Sequence, residues 1–339
     1  VYGNKFVKSF VCGMMGRFIT MILFQYSNPQ TIESFRRIFL YSLFSLIAIN
    51  LHAREIAITF DDAPLPGSNL MDGKEKTTAI LNALQKHKVP NATFFLTMQN
   101  ISSKDDLARL KQYDDAGYKL AHHSFSHQSA SKITFEQYKN DFTKADKKLF
   151  SLGLSNVIKQ HRFPFLHYGD TAKKREQIKN LLNENGYTHG YVTIDNFDWY
   201  INSKTVEAFK SGKQINFDNL KMLYIDALWH SITFYDDLAK EHLKRSPKHV
   251  LLLHENELAA FFLSDLIEHI KLKGWDIISP EVAYEDPIAN IAKDLKFNKQ
   301  GRIAALAYDI GADKKELRSK TENIPHIDDL FIKYKVIKK

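Results

Sequence analysis

From Arg54 to Ile278 the chain alternates short apolar, strand-like runs with longer amphipathic ones, and this alternation constrains the fold more than any other feature. Glu55–Phe60 places Ile56, Ile58 and Phe60 at period two, as a strand does, and Lys74–His87 follows at helical period. The pairing recurs, with strands expected at Ala92–Leu96, Tyr118–His122, Lys159–Phe163, Tyr191–Ile194, Val250–His254 and Trp275–Ile278. Helices are expected at Lys104–Ala116, Phe135–Leu152, Ala172–Asn185 and Leu258–Lys273, and a largely helical stretch runs up to Lys244. Gly117 and Gly186 stop two of these helices, and Thr134 is placed to cap a third. Such a pattern predicts an α/β domain with parallel strands, either open or closed into a barrel. In both forms ligands collect at the carboxyl ends of the strands.

Five expected strand ends carry polar residues: Asp61-Asp62, His122-His123, Arg162, Asp195 with Asp198, and His254. A single polar strand end is commonly a cap or a turn; five in succession are hard to explain as packing. His123 and His127 stand four apart, which on one helical turn puts both rings on one face, as paired metal-binding histidines require. His122 competes for the role at the poorer spacing of five. The nearest third ligand is Asp61 or Asp62, provided a turn at Asp62-Ala63-Pro64 brings both carboxylates to one side. Two imidazoles and a carboxylate with open positions make a site where water is activated, and a second carboxylate can take its proton. His254 is then placed to protonate a leaving amine, so the set suits hydrolysis of an amide or ester.

These residues resemble the motifs of the polysaccharide deacetylases of the NodB-homology type, carbohydrate esterase family 4. Five motifs occur in family order over 61–254. In Thr59-Phe60-Asp61-Asp62 the resemblance makes Asp61 the catalytic base and Asp62 a metal ligand beside His123 and His127. Arg162-Phe163-Pro164-Phe165 resembles the Arg-x-Pro-aromatic motif. It implies that Arg162 holds the base, that Pro164 and Phe165 line the substrate groove, and that the Phe165 N–H helps bind the oxyanion. Asp195-Asn196-Phe197-Asp198-Trp199 resembles the motif in which Asp198 tunes the acid and Trp199 walls the acetyl pocket. Leu251-Leu252-Leu253-His254 matches the motif that supplies the acid itself.

The resemblance implies a distorted (β/α) barrel over 54–280 with a C-terminal extension at 281–339. It also implies Zn²⁺ as cofactor, with Co²⁺ or another divalent ion able to substitute. The expected substrate is an N-acetylated glycan such as peptidoglycan, a chitin oligomer or exopolysaccharide. The expected activity is N-deacetylation, with O-acetyl ester or small cyclic amide hydrolysis, or catalytically silent glycan binding, as alternatives. One departure is visible: Ala63 stands where the family usually has Gly, and a positive φ there would strain it.

Upstream, Arg36-Arg37 precedes an apolar run from Ile38 to Ile49 that ends near Ala53, the layout of a secretory signal peptide at about 34–53. The run is too short for a comfortable membrane span. Cleavage after Ala53 leaves no stable transmembrane anchor and a secreted or periplasmic protein, and residues 1–33 are read as an over-extended gene start. The single Cys12 excludes a disulfide framework and a thiolate zinc cluster. The net charge of +8 lacks a basic block apart from Lys333, Lys335, Lys338 and Lys339, and with the export signal it argues against nucleic acid as a partner. Oligomeric state is left open.

Other polar residues take structural readings. His87, His242, His249 and His269 are expected on helices or at their ends, and His230 in the core. His161 and His167 flank the Arg162 motif, where a capping or core role outweighs a place in the cleft. Asp236-Asp237 is expected on a solvated helix face.

Overall fold

The computed structural model describes residues 54–291 and 296–338, so the export segment expected within 1–53 lies outside the described residues. Strand β1 (Arg54–Ala63) runs through the sheet with Ile56, Ala57, Ile58 and Phe60 all buried. A parallel strand covered on both faces buries both of its side-chain rows, which accounts for its nearly continuous apolar sequence.

Helix α1 (Gly73–Lys86) leads to β2 (Thr93–Leu96), and α2 (Lys104–Asp115) to β3 (Lys119–His122). Helix α3 (Phe135–Ser151) leads to β4 (Val157–His161), and α4 (Ala172–Glu184) to the two-residue β5 (Thr188–His189). The first three helices open on reciprocal capping pairs, Asp72 with Glu75, Ser103 with Asp106, and the expected Thr134 with Gln137. Next come α5 (Asp198–Lys210), α6 (Phe217–Leu243), β6 (His249–His254), α7 (Glu257–Leu272) and β7 (Trp275–Ile277). Every pairing is parallel in the order β5-β4-β3-β2-β1-β6, and β7 joins the first residues of β1.

The strand expected at Tyr191–Ile194 is not a full ladder; Ile194 alone makes a parallel bridge, to Leu251. Gly190 N donates to His161 O on β4 at 2.8 Å, while Leu252 N on β6 donates to Ile194 O at 3.2 Å. The segment therefore crosses from the β4–β5 side of the sheet to β6 on the other, too obliquely to pair along its length, and closes the sheet into a distorted barrel. Gly190 is required at this crossing, because a Cβ there would lie 2.6 Å from the Phe95 ring.

After Pro280 the chain is helical: α8 (Pro280–Tyr284), α9 (Ile288–Ile291), α10 (Arg302–Asp309) and α11 (Ile324–Lys333). The runs Ile303–Tyr308 and Asp328–Tyr334 of the extension fall on α10 and on α11 with its C-cap. The extension is laced into the barrel: Arg302 N donates to Val192 O at 2.6 Å, and Tyr235 of α6 meets Gln300 and Glu322 at 2.6 Å each. Among the described residues no helix is long and apolar enough to cross a membrane.

Two structural readings need correction. His249 lies inside β6, fully buried, and not on a helix. Asp236 is buried rather than solvated, because the face of α6 that carries it packs inward. There its carboxylate is satisfied by Lys240 Nζ at 2.5 Å and His249 Nε2 at 3.4 Å, which holds its pKa low against the cost of burial. Only Asp237 of that pair faces water.

Candidate active site

At the tip of β1, consecutive strand residues should face opposite ways. Asp62 instead adopts a left-handed φ of 66°, and the register against β2 shifts between Phe60 and Ala63, as at a bulge. Both carboxylates consequently reach one cavity. Ala63 is not among the positive-φ residues, so the replacement of the usual glycine introduces no left-handed strain there.

His123 and His127 do not sit on a helical turn. They leave β3 on an irregular loop in which Ser124 (φ 73°) and His127 (φ 54°) are left-handed. The Asp141 carboxylate of α3 fixes that loop by accepting from Phe125 N at 2.8 Å and Ser126 N at 3.1 Å, and it also bonds the Ser126 hydroxyl. The result still brings Asp62, His123 and His127 together, their ligand atoms all within 4.8 Å of one another. Asp62 Oδ1 lies 3.3 Å from His127 Nε2 and 3.8 Å from His123 Nε2.

This donor set fits a divalent cation. His123 Nδ1 bonds the Arg162 carbonyl at 2.9 Å, which directs the Nε2 lone pair toward Asp62. Burial, with His127 alongside, holds the His123 pKa well below its ordinary value, so the ring is neutral as a ligand must be. Thr97 Oγ1 donates to Asp62 Oδ1 at 2.8 Å and orients the carboxylate.

Asp61 belongs to a second pair. Arg162, fully buried, donates from Nη1 to Asp61 Oδ1 at 2.6 Å and to Thr59 Oγ1 at 2.8 Å, and from Nε to Gly190 O at 2.8 Å. Its guanidinium stacks 3.8 Å from the Phe95 ring centroid, and Nη2 donates to Tyr284 Oη at 3.0 Å. Asp61 Oδ2 stands 3.6 Å from His123 Nε2, so the carboxylate borders the metal-ligand cluster with one oxygen and is anchored by the other.

His254 at the tip of β6 is held by Asp198, the first residue of α5. Its Nδ1 lies 2.7 Å from Asp198 Oδ1, and its backbone N donates to Oδ2 at 2.9 Å. Burial alone would lower the imidazole pKa, but the Asp198 charge and hydrogen bond, with Asp62 and Asp61 beyond, raise it to about 10. His254 is therefore an imidazolium at neutral pH.

Asp61, Asp62, His123, His127 and His254 line one cavity of about 1210 Å³. Phe165 projects into it from a turn at φ 58°, 57% exposed, with its ring 4.5 Å from that of His127. Trp199 forms another part of the wall at 40% exposure. Pro164 is buried and does not line the cavity; it starts the turn that presents Phe165. Asp195 does line it, and burial, with Glu322 nearby, holds its carboxyl well above the usual range.

His122 takes no part in the cluster. It is buried against His161, Nδ1 to Nδ1 at 2.7 Å, and His161 in turn bonds the Tyr138 hydroxyl at 2.8 Å. His230 bonds Ser319, whereas His167 lines the cavity.

Several supporting residues escaped sequence reasoning. Glu255 accepts from Leu65 N at 2.7 Å, Arg109 Nη2 at 2.8 Å and Tyr113 Oη at 2.9 Å, tying the loop after Asp62 to the strand tip of His254. A glutamate next to a candidate acid was a usable signal for it. Asp141 and Thr97 had none, since nothing local marks a helix or loop residue as a partner for a distant loop.

A family model described as polysaccharide deacetylase matches residues 48–188, a span that holds Asp61, Asp62, His123, His127, Arg162 and Phe165 but ends before Asp198 and His254. The chain is 32% identical over 156 residues to a peptidoglycan-N-acetylglucosamine deacetylase of Bacillus cereus, covering 46% of this chain and 51% of that protein. It is 34% identical over 85 residues to a bifunctional xylanase/deacetylase of Pseudobutyrivibrio xylanivorans, 25% of this chain and 12% of that one. The chain spans about half the length of the Bacillus cereus relatives it matches. Among solved structures, a family 4 carbohydrate esterase from Streptomyces lividans in complex with acetate is similar at a TM-score of 0.43 and 19% identity, over 68% of this chain and 95% of that one.

Proposed function

We propose, from the match of residues 48–188 to the polysaccharide deacetylase family, that the protein is a metal-dependent N-deacetylase that releases acetate from an N-acetylglucosamine-containing glycan. The observation that carries this reading is the meeting, in one cavity, of an Asp-His-His cluster, an arginine-held aspartate and an aspartate-held histidine.

When bound at Asp62, His123 and His127, a divalent ion, Zn²⁺ by preference or Co²⁺, supplies Lewis acidity toward the acyl oxygen and makes water acidic enough to attack near neutral pH. Asp61 takes the proton from the attacking water, and the Arg162 hydrogen bond holds its carboxylate in place. The backbone N–H of Phe165 donates to the oxygen that becomes negative as the acetyl carbon turns tetrahedral. His254, charged before the reaction begins, gives its proton to the sugar nitrogen as the C–N bond breaks, and Asp198 stabilises the charge and holds the ring in place. Acetate and a free amino sugar leave.

The test is acetate release by metal-loaded protein from N-acetylated glycans (peptidoglycan, chitin oligomers and exopolysaccharide), run beside O-acetylated sugars and cyclic amides and repeated after chelation. Release from the N-acetyl substrates that chelator abolishes and metal restores is the expected result. Release from O-acetyl or cyclic amide substrates alone, or glycan binding without turnover, would replace this reading with an esterase, a cyclic amide hydrolase or a silent binder. The signal-like segment before Ala53 supports a secreted or periplasmic setting, checked by sequencing the amino terminus of the exported protein for a start at Arg54.

A further inference from the structure

Charge is unevenly spread along the cavity. Beyond Phe165 the wall is built by Ser129, Lys132, Leu166, His167 and Lys299, without a carboxylate among them. Among the described residues neither Lys132 nor Lys299 has an acidic partner. Elsewhere the cavity does carry acidic residues, Glu207 and Glu257 among them, so the positive end is local.

The fold holds these lysines in place. Lys299 N donates to Leu166 O at 3.1 Å, and Asn298 before it accepts from Tyr168 N at 2.6 Å and donates to Gly169 O at 3.1 Å. Ser131 Oγ reaches the same Asn298 carbonyl at 3.4 Å. Lys132 N donates to Ser129 O at 2.9 Å, and Ser129 Oγ meets His167 Nδ1 at 2.6 Å. Three segments far apart in sequence are thereby laced into one wall. Burial, then Lys299 and Lys132, lower the pKa of His167 in the same wall.

This wall lies next to the reaction site. The Phe165 ring stands 4.5 Å from that of His127 on one side and 6.2 Å from that of His167 on the other. A sugar seated beside the acetamido sugar would meet two unneutralised lysines. An anionic substituent gains there what a hydroxyl does not.

We propose that Lys132 and Lys299, in the wall they share with His167, form an anion subsite that selects N-acetylated glycans bearing a carboxylate on the sugar adjacent to the one deacetylated. A uronic acid and a lactyl ether both carry such a carboxylate, and the proposal rests on the deacetylase reading for the chemistry next door. It also gives the extension after Pro280 a function, since Lys299 comes from it.

The test compares metal-loaded protein on four probes: a neutral N-acetylglucosamine oligomer, an oligomer alternating N-acetylglucosamine with a uronate, its carboxyl methyl ester, and a lactyl-ether glycan. At low salt, kcat/KM should favour a carboxylate-bearing probe over the neutral oligomer and the methyl ester, and the advantage should shrink as salt rises. The preferred carboxylate probe identifies the carrier. Lys132→Gln with Lys299→Gln should raise KM for that probe about fivefold, the scale of two solvent-exposed charge contacts, with kcat retained. A charge-matched control, Lys111→Gln with Lys221→Gln, should keep the preference, since those lysines pair with Asp115 and Asp265 outside the cavity. Equal kcat/KM for the uronate, its ester and the lactyl-ether glycan, or a preference that survives in the Lys132/Lys299 variant, overturns the subsite. Calorimetric binding of the same four probes reads the subsite without turnover. Absence of acetate from every probe would therefore sink the deacetylase reading alone, while equal binding of charged and neutral probes would sink this one.

Discussion

Asp198→Asn isolates the electrostatic part of the proposed acid. The substitution keeps a carbonyl acceptor for the backbone N of His254 and for Asn256 Nδ2, now 2.9 and 3.1 Å from Asp198 Oδ2. It removes the charge that does most to raise the imidazole from 6.5 to about 10 against burial. A carboxylate in direct contact shifts a neighbouring group by about 1–3 units, so a displacement of about 2 units is expected. The cation offsets the smaller push from Asp62 in both proteins, so both limbs sit lower than in the metal-free protein and the displacement between them remains. One pH unit below the wild-type limb the acid is about nine-tenths protonated, whereas in the variant it is about one-tenth protonated, close to a tenfold difference in rate.

The assay is kcat/KM for acetate release by the metal-loaded proteins across the alkaline range. The alkaline limb should move toward neutrality in the variant, with a much smaller loss near pH 6. The stability sign follows from the same pKa. A raised histidine pKa stabilises the fold fully below the unfolded value of 6.5, and this contribution is lost as pH rises through about 10. Asp198→Asn should accordingly lose up to about 3 kcal/mol in urea denaturation near pH 6 and progressively less toward pH 10. A uniform drop in rate at every pH, with the alkaline limb in place, would refute the reasoning and leave Asp198 a purely orienting role.

Three further outcomes follow from the same geometry. His127→Ala removes one of three candidate ligands, so the metal found per protein by elemental analysis should fall. Acetate release should fall beyond the roughly 10–100-fold typical of losing a ligand's hydrogen-bond partner. Asp141→Ala frees the loop between the two histidines and should weaken metal binding by about that 10–100-fold in a competition titration; unchanged affinity would show that the loop holds its shape without the clamp. Glu255→Gln takes from the buried Arg109 its 2.8 Å carboxylate partner and should cost about 3–5 kcal/mol in urea unfolding, whereas a loss under about 1 kcal/mol would contradict the buried network.

The parts of the molecule legible from sequence are those whose cause is local. Ile56, Ile58 and Phe60 announce β1 because a buried strand has a two-residue period, and Thr134 announces the start of α3 because a side-chain oxygen there meets an orphan backbone donor. Strand tips bearing Asp61, His123, Arg162 and His254 could be read as one site because a parallel sheet brings its carboxyl ends to a common edge. What resisted reading depends on distant partners. The His123–His127 spacing suggested a helical turn, yet Asp141 on α3 and two left-handed residues fold it as a loop. The loop brings the same pair together with Asp62, for a different geometric reason. The segment at 191–194 reads as a strand yet pairs at one bridge only because it serves two strands in turn, and Asp236 looked solvated because its buried partner, His249, lies on another element. Lys299 marks the furthest reach of this limit. No local pattern distinguishes it from other exposed lysines, and it acquires meaning only through Asn298, which bonds it to the loop beside Phe165. A site assembled by tertiary hydrogen bonds is written in the sequence only as unrelated polar residues, so the candidate strand-tip cluster was legible while the wall proposed to choose its substrate was not.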